Sequence, residues 1–121
     1  MPAISDDLWR VMADTMKTYR GIVCNAMHKK AIEDNAEIHE FDGGAWASVG
    51  NEIDLFVLPE RRGKWKVKGE ISQYLREMHK KYPVLIARIN ERNTRSLRLA
   101  RFFGFKDVAK EGQEIRLEHK L

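Results

Sequence analysis

The chain of 121 residues carries 22 lysines and arginines against 18 aspartates and glutamates, a net charge of +4, with 43% apolar residues. That length suits one domain around one core, and the charge balance excludes a polycation while favouring an anionic ligand or partner. A single cysteine, Cys24, excludes an intrachain disulfide and a cysteine-built zinc site and points to a reducing, cytoplasmic setting.

No stretch nears the roughly 18 apolar residues of a membrane span, and the opening MPAISDD turns acidic without the layout of a secretion signal. Residues 5–34 read as helical, with Ser5 as cap and Asp6 and Asp7 at the positive end of the helix dipole. Leu8, Met12, Met16, Tyr19, Val23, Met27 and Ala31 form an apolar stripe at helical spacing, and Gly21 splits or bends it. Strands follow at 36–44 and 45–51, joined at Gly43-Gly44, and at 51–59, where Pro59 ends the run. Ile71, Tyr74, Leu75 and Met78 mark a helix over 69–81. A buried strand is expected at 82–90, then a helix capped by Asn93 or Thr94 and stopped at Gly104. Strands at 103–110 and 113–121 flank the turn KEG. The strand–helix–strand unit in the middle should be parallel and right-handed, with ligands favoured at the carboxyl ends of its strands.

That geometry directs attention to VLPERRGKWKVKGEISQYLREM, residues 57–78. A glycine-containing turn feeding a helix offers free backbone N–H groups and the positive end of a dipole. Arg61, Arg62, Lys64, Lys66 and Lys68 add charge suited to phosphate. On these residues alone, an anion site and a solvated basic loop both stand.

VLPERRGKWKV, a helix, a strand and NTRSLRLARFFGF together resemble the GNAT family of N-acetyltransferases, over about residues 50–121. Pro59, Glu60 and Arg62-Gly63-Lys64 match its pyrophosphate loop, and Asn93 with Gly104-Phe105 match its later helix. The resemblance implies an α/β (α+β) fold with a mixed, mostly antiparallel sheet, a central parallel strand–helix–strand unit and N-terminal helices. One GNAT-like domain would span 1–121, with a helical part at 1–36, a three-stranded meander at 37–58 and a cofactor-motif half at 59–121. It also implies acetyl-CoA as cofactor, bound by Val57, Leu58, Arg61, Arg62, Gly63, Lys64, Trp65, Lys66, Val67, Asn93 and Ser96, and an amine as acceptor. The chain departs from the pattern at three residues and one strand. Trp65 and Val67 stand where the loop has small residues, Ala100 stands where many members have an acid tyrosine, and the first strand is missing. Acetyltransferase-like proteins of tailed bacteriophages, including the internal virion type, share this short form, which suggests a phage origin and residence in host cytoplasm or virion.

Glu52 and Asp54 lie on the strand beside the implied cofactor site, where the resemblance implies a carboxylate as general base; the residues themselves suit polar strand positions that face solvent or pair with neighbouring cations. Asn93 caps its helix or holds the cofactor, and the two roles are compatible. Arg95, Arg98 and Arg101 read as a solvated helix face or as a 3′-phosphate or nucleic-acid contact. His28, His39, His79 and His119 show no metal spacing, and the two HKK runs are expected near helix C-termini. Three functions compete: an acetyl-CoA-dependent N-acetyltransferase, an inactive GNAT-fold binding or structural module, and a nucleic-acid binder. The second would be a virion component or an inhibitor of a host protein, and either of the first two admits a protein partner or a homo-oligomer. The third is the weakest, for surface aromatics are not interleaved with the basic residues.

Overall fold

The computed structural model describes residues 4–41, 44–57 and 68–120. Helices α1 (Asp6–Arg20) and α2 (Ala26–Asn35) lead into strands β1 (Glu37–Phe41), β2 (Gly44–Val49) and β3 (Glu52–Val57). Then come α3 (Lys68–His79), β4 (Val84–Asn90), α4 (Thr94–Phe102), β5 (Lys106–Glu111) and β6 (Glu114–Lys120). Among the described residues no strand precedes α1. No helix there is long and apolar enough to cross a membrane.

The helix starts and stops follow side-chain chemistry. Ser5 Oγ accepts the Leu8 N–H at 3.3 Å, and Gly21 ends α1 at φ 66°, a left-handed position that glycine takes without a Cβ clash. Asn25 then opens α2, its Oδ1 accepting from Met27 N at 2.9 Å and His28 N at 3.2 Å. His28 Nδ1 accepts the Asn25 N–H at 3.0 Å, closing a reciprocal capping box. The first HKK run therefore lies at a helix start, not a helix end. The apolar stripe also breaks at Gly21, because the chain turns there: Val23 and Met27 are 74% and 80% exposed, while Leu8, Val11 and Met12 are buried.

The sheet runs β1-β2-β3-β4-β6-β5, antiparallel throughout except for β3 against β4. Its two faces fill separately, as alternation along each strand requires. On one face Trp46, Ile53, Leu85 and Leu117 pack beneath α3 and α4 with Ile71, Leu75 and Leu97. On the other, Ala45, Ala47 and Phe56 pack beneath α1 with Leu8, Val11 and Met12. β5 is exposed at every residue and carries Lys106, Asp107, Lys110 and Glu111, charges that discourage a further strand from adding at this edge.

Two residues seal the α3 and α4 side. His79 Nε2 lies 2.7 Å from His119 Nδ1, and His79 Nδ1 lies 3.0 Å from the Tyr82 carbonyl oxygen. Gly104, at φ 99°, lets the chain pass this pair, since a Cβ there would sit 3.2 Å from the His119 ring.

Candidate active site

The parallel pair is short. Glu52 and Ile86 are its only registered partners among the described residues, fixed by Ile86 N donating to Asn51 O at 2.9 Å and Asn51 Nδ2 donating to Val84 O at 3.0 Å. Beyond that point β3 and β4 no longer pair, and a cavity of about 320 Å3 opens at the gap. Its wall draws on both faces of the sheet. Met12, Met16 and Tyr19 come from α1, Asp54 from β3, and Asn93, Ser96 and Ala100 from the start and middle of α4.

Local sequence places each of these groups. Along β3, Glu52, Asp54 and Phe56 alternate with Ile53 and Leu55, so Asp54 turns to the α1 side when Ile53 enters the α3 core. Asn93 Oδ1 accepts the Ser96 N–H at 3.3 Å and so opens α4, leaving its Nδ2 donors unused among the described residues. Ala100, 8% exposed, presents only a methyl group to the wall. The end of β4 is tied to the end of α1 by Asn90, whose Nδ2 donates to Tyr19 O at 3.0 Å. Asn90 is 4% exposed, and its Oδ1 accepts the Arg92 N–H at 2.9 Å, so this buried amide is satisfied by two elements far apart in sequence.

Asp54 is the electrostatic centre. Burial pushes its carboxyl up from 3.8 to about 6; the Arg20 guanidinium opposes the rise, and Glu52 and Glu114 reinforce it. Arg20 Nη2 lies 3.8 Å from Asp54 Oδ1, and Arg20 Nε lies 3.4 Å from Glu114 Oε2. The Asp54 side chain is nonetheless 43% exposed to solvent. The two observations agree for a carboxylate at the bottom of a concave mouth, open in one direction and surrounded in the others. Glu52 is differently engaged: its Oε1 accepts from Arg88 Nη1 at 2.6 Å, and it is not part of the cavity wall.

The expected site residues thus separate into three groups. Asp54, Asn93 and Ser96 meet in one cavity, with Ala100 beside them. Glu52 belongs to an ion pair on the sheet, and Val57 ends β3. Leu58, Arg61, Arg62, Gly63, Lys64, Trp65, Lys66 and Val67 lie outside the described residues, as do Pro59 and Glu60. Just after them, Lys68 opens α3 with its Nζ 5.0 Å above the Phe102 ring of α4. Arg20, Asn90 and Glu114 had no mark in the sequence. No group of three His, Cys, Asp or Glu among the described residues could hold a metal ion.

No protein-family model matches the sequence, and no curated protein matches it. Solved structures do. A domain from Methanocaldococcus jannaschii is 20% identical, with a TM-score of 0.71, over 99% of this chain and 96% of its own. The ribosomal-protein-alanine N-acetyltransferase of Brucella melitensis is 16% identical, with a TM-score of 0.70, over 94% of this chain and 92% of its own. The PaiA N-acetyltransferase of Thermoplasma acidophilum, solved in complex with coenzyme A, is 16% identical, with a TM-score of 0.61, over 99% and 97%. At such identities the likeness is one of fold, and it lends no support to a phage origin. The chain has the mixed, mostly antiparallel fold of the GNAT acetyltransferases.

Proposed function

We propose that this protein transfers an acetyl group from acetyl-CoA to a primary amine by direct attack. One observation carries the reading: a carboxyl with its pKa near 6 stands in the wall of a cavity that passes through the gap between the two parallel strands. The fold supports it, since the PaiA enzyme that shares this fold was solved with coenzyme A.

The residues present fit such a ligand. A cavity of about 320 Å3 lies within the range of small-molecule sites. Its wall is largely apolar with a few polar groups, and the unused Nδ2 donors of Asn93 and the Ser96 hydroxyl suit the amide and carbonyl oxygens of a pantetheine arm. When bound, acetyl-CoA supplies an activated acetyl thioester. Asp54 accepts a proton from the incoming ammonium, which frees the nitrogen lone pair to attack the carbonyl carbon. Arg20 holds Asp54 from one side and keeps it from rising further. The cavity walls on the two faces hold the two reactants against each other, which makes the encounter intramolecular. Ala100 offers no acid, so water would protonate a thiolate leaving group and take up the second proton that the nitrogen sheds. Glu52, spent on Arg88, serves the sheet and leaves the base role to Asp54.

Ala100 also favours a second reading, an inactive module that keeps the fold and binds without turnover. Calorimetry with acetyl-CoA, followed by assay of thiol release with and without amines, decides between them. The transferase reading expects saturable binding and amine-dependent release. Binding without release, against a broad set of amines, would support the inactive module, and no binding at millimolar acetyl-CoA would sink the transferase.

A further inference from the structure

The cavity continues past Asp54. Tyr19, Arg20, Asn90 and Glu114 line both its wall and the wall of a second, open depression of about 520 Å3. Charge is sorted along this path. At the inner wall Arg20 serves two carboxylates, 3.8 Å from Asp54 and 3.4 Å from Glu114, while Arg88, the other cation of that wall, is engaged by Glu52 and Glu111. Glu114 Oε2 is buried and has only the 3.4 Å ion pair to Arg20 Nε, with no hydrogen bond among the described residues. A buried carboxylate oxygen held only by a shared ion pair gains from a second, hydrogen-bonding donor. The inner wall therefore has a place for one more cation, and an ammonium fits it.

Farther out the sign reverses. Lys17 and Arg92 line the open depression, and Lys17 makes no ion pair among the described residues. Arg92 lies over the Tyr19 ring at 5.9 Å and donates from Nη2 to Thr18 O at 3.4 Å. A guanidinium has five donors, so most of this one remains available at the mouth. The helix dipole explains why Lys17 and Arg20 stand in the last turn of α1. Arg92 arrives from a different element, the turn after β4, where Asn90 holds its backbone. Two elements thus bring positive charge to the outer rim.

We infer that the acceptor is an amine carrying a carboxylate or phosphate near its nitrogen: the ammonium sits between Asp54 and Glu114, and the anionic group meets Arg92 and Lys17. This rests on the transferase reading above. A free amino acid and a peptide with an acidic N-terminal region share this chemistry. A polyamine does not, for its second ammonium would face Lys17 and Arg92.

The test compares kcat/KM, with acetyl-CoA as donor, for glutamate, alanyl-glutamate, the neutral isostere alanyl-glutamine amide, and spermidine. The expected result is a preference of about tenfold for the anionic amines over the neutral isostere, the effect of one charge-assisted contact. Arg92→Glu and Lys17→Glu should each reduce that ratio, and added salt should shrink it. Both side chains are on the surface, and thermal melts of the variants establish that they fold. A neutral isostere or spermidine used equally well would overturn the inference while leaving the transferase reading intact. If no amine is acetylated, the transferase reading falls, and the anion seat is tested alone by following backbone amide shifts. N-acetylglutamate moving the amides around Arg92 and Lys17, where its diamide does not, would uphold the seat. Equal or absent shifts would overturn it.

Discussion

In the proposed transfer Asp54 is the base, and its raised pKa has consequences for both rate and stability. A base that titrates near 6 gives transferase activity that climbs as pH rises through that value. Asp54→Asn removes the base, so kcat should fall by roughly 100-fold or more and the rise near pH 6 should vanish. Stability moves the other way. Between 3.8 and about 6 the folded chain holds the Asp54 proton more tightly than the unfolded chain does. The contribution of Asp54 to stability is therefore complete below 3.8 and is lost as pH rises through about 6. Because the side chain is 43% exposed, solvent screening reduces the effect, and Asp54→Asn should gain only about 1 kcal/mol at neutral pH and almost nothing in acid. Melting curves of the two proteins at both extremes check this. The sequence marked Glu52 and Asp54 alike, since residues two apart on a strand share a face. Only tertiary structure separates them: Arg88 takes Glu52, while Arg20 and the cavity take Asp54. Asn90 and Glu114 were illegible for the same reason, because their roles depend on Tyr19 and Arg20 from the other end of the chain.

Among the elements, α1 matters most, because its last turn carries Tyr19 and Arg20 into the site. Gly21 stops that turn at φ 66°, and a Cβ there would meet nothing within 4 Å. The cost of Gly21→Ala is thus backbone strain alone, about 1 kcal/mol, or a fall in Tm of roughly 3–6 °C. The split at Gly21 was legible, because glycine after a periodic run is a strong stop signal. The fate of Val23 and Met27 was not: the spacing continues on paper, but the turn at Gly21 carries them into solvent. Across the sheet, the His79–His119 contact joins α3 to β6. Burial, and then the neighbouring His79, lower the His119 pKa from its ordinary 6.5. The folded state then binds fewer protons than the unfolded chain just below 6.5, so stability falls as pH drops through that window. His119→Gln should flatten this acid slope, measured as Tm against pH, even if it lowers Tm throughout.

For the whole molecule, one parallel pair in an otherwise antiparallel sheet decides where the cavity opens. The antiparallel neighbours β4 and β6 stay registered over seven residues. The pair β3 and β4 parts after one registered contact and leaves room between two separately packed cores. The order of elements was legible because each strand and helix carries its own period and stop signals. The shape of the gap was not, since it depends on strands and helices distant in sequence. Leu117, fully buried at the middle of β6, anchors the larger core, and Leu117→Ala should cost about 2–5 kcal/mol by denaturant titration.

The central claim is that the Asp54 cavity catalyses acetyl transfer. Its most direct measurement is thiol release from acetyl-CoA, with and without amine, by wild type and Asp54→Asn at pH values on either side of about 6. The claim requires amine-dependent release that grows through that pH in the wild type and nearly disappears in the variant. Release that Asp54→Asn leaves unchanged, or no amine-dependent release from the wild type at any pH, would contradict it.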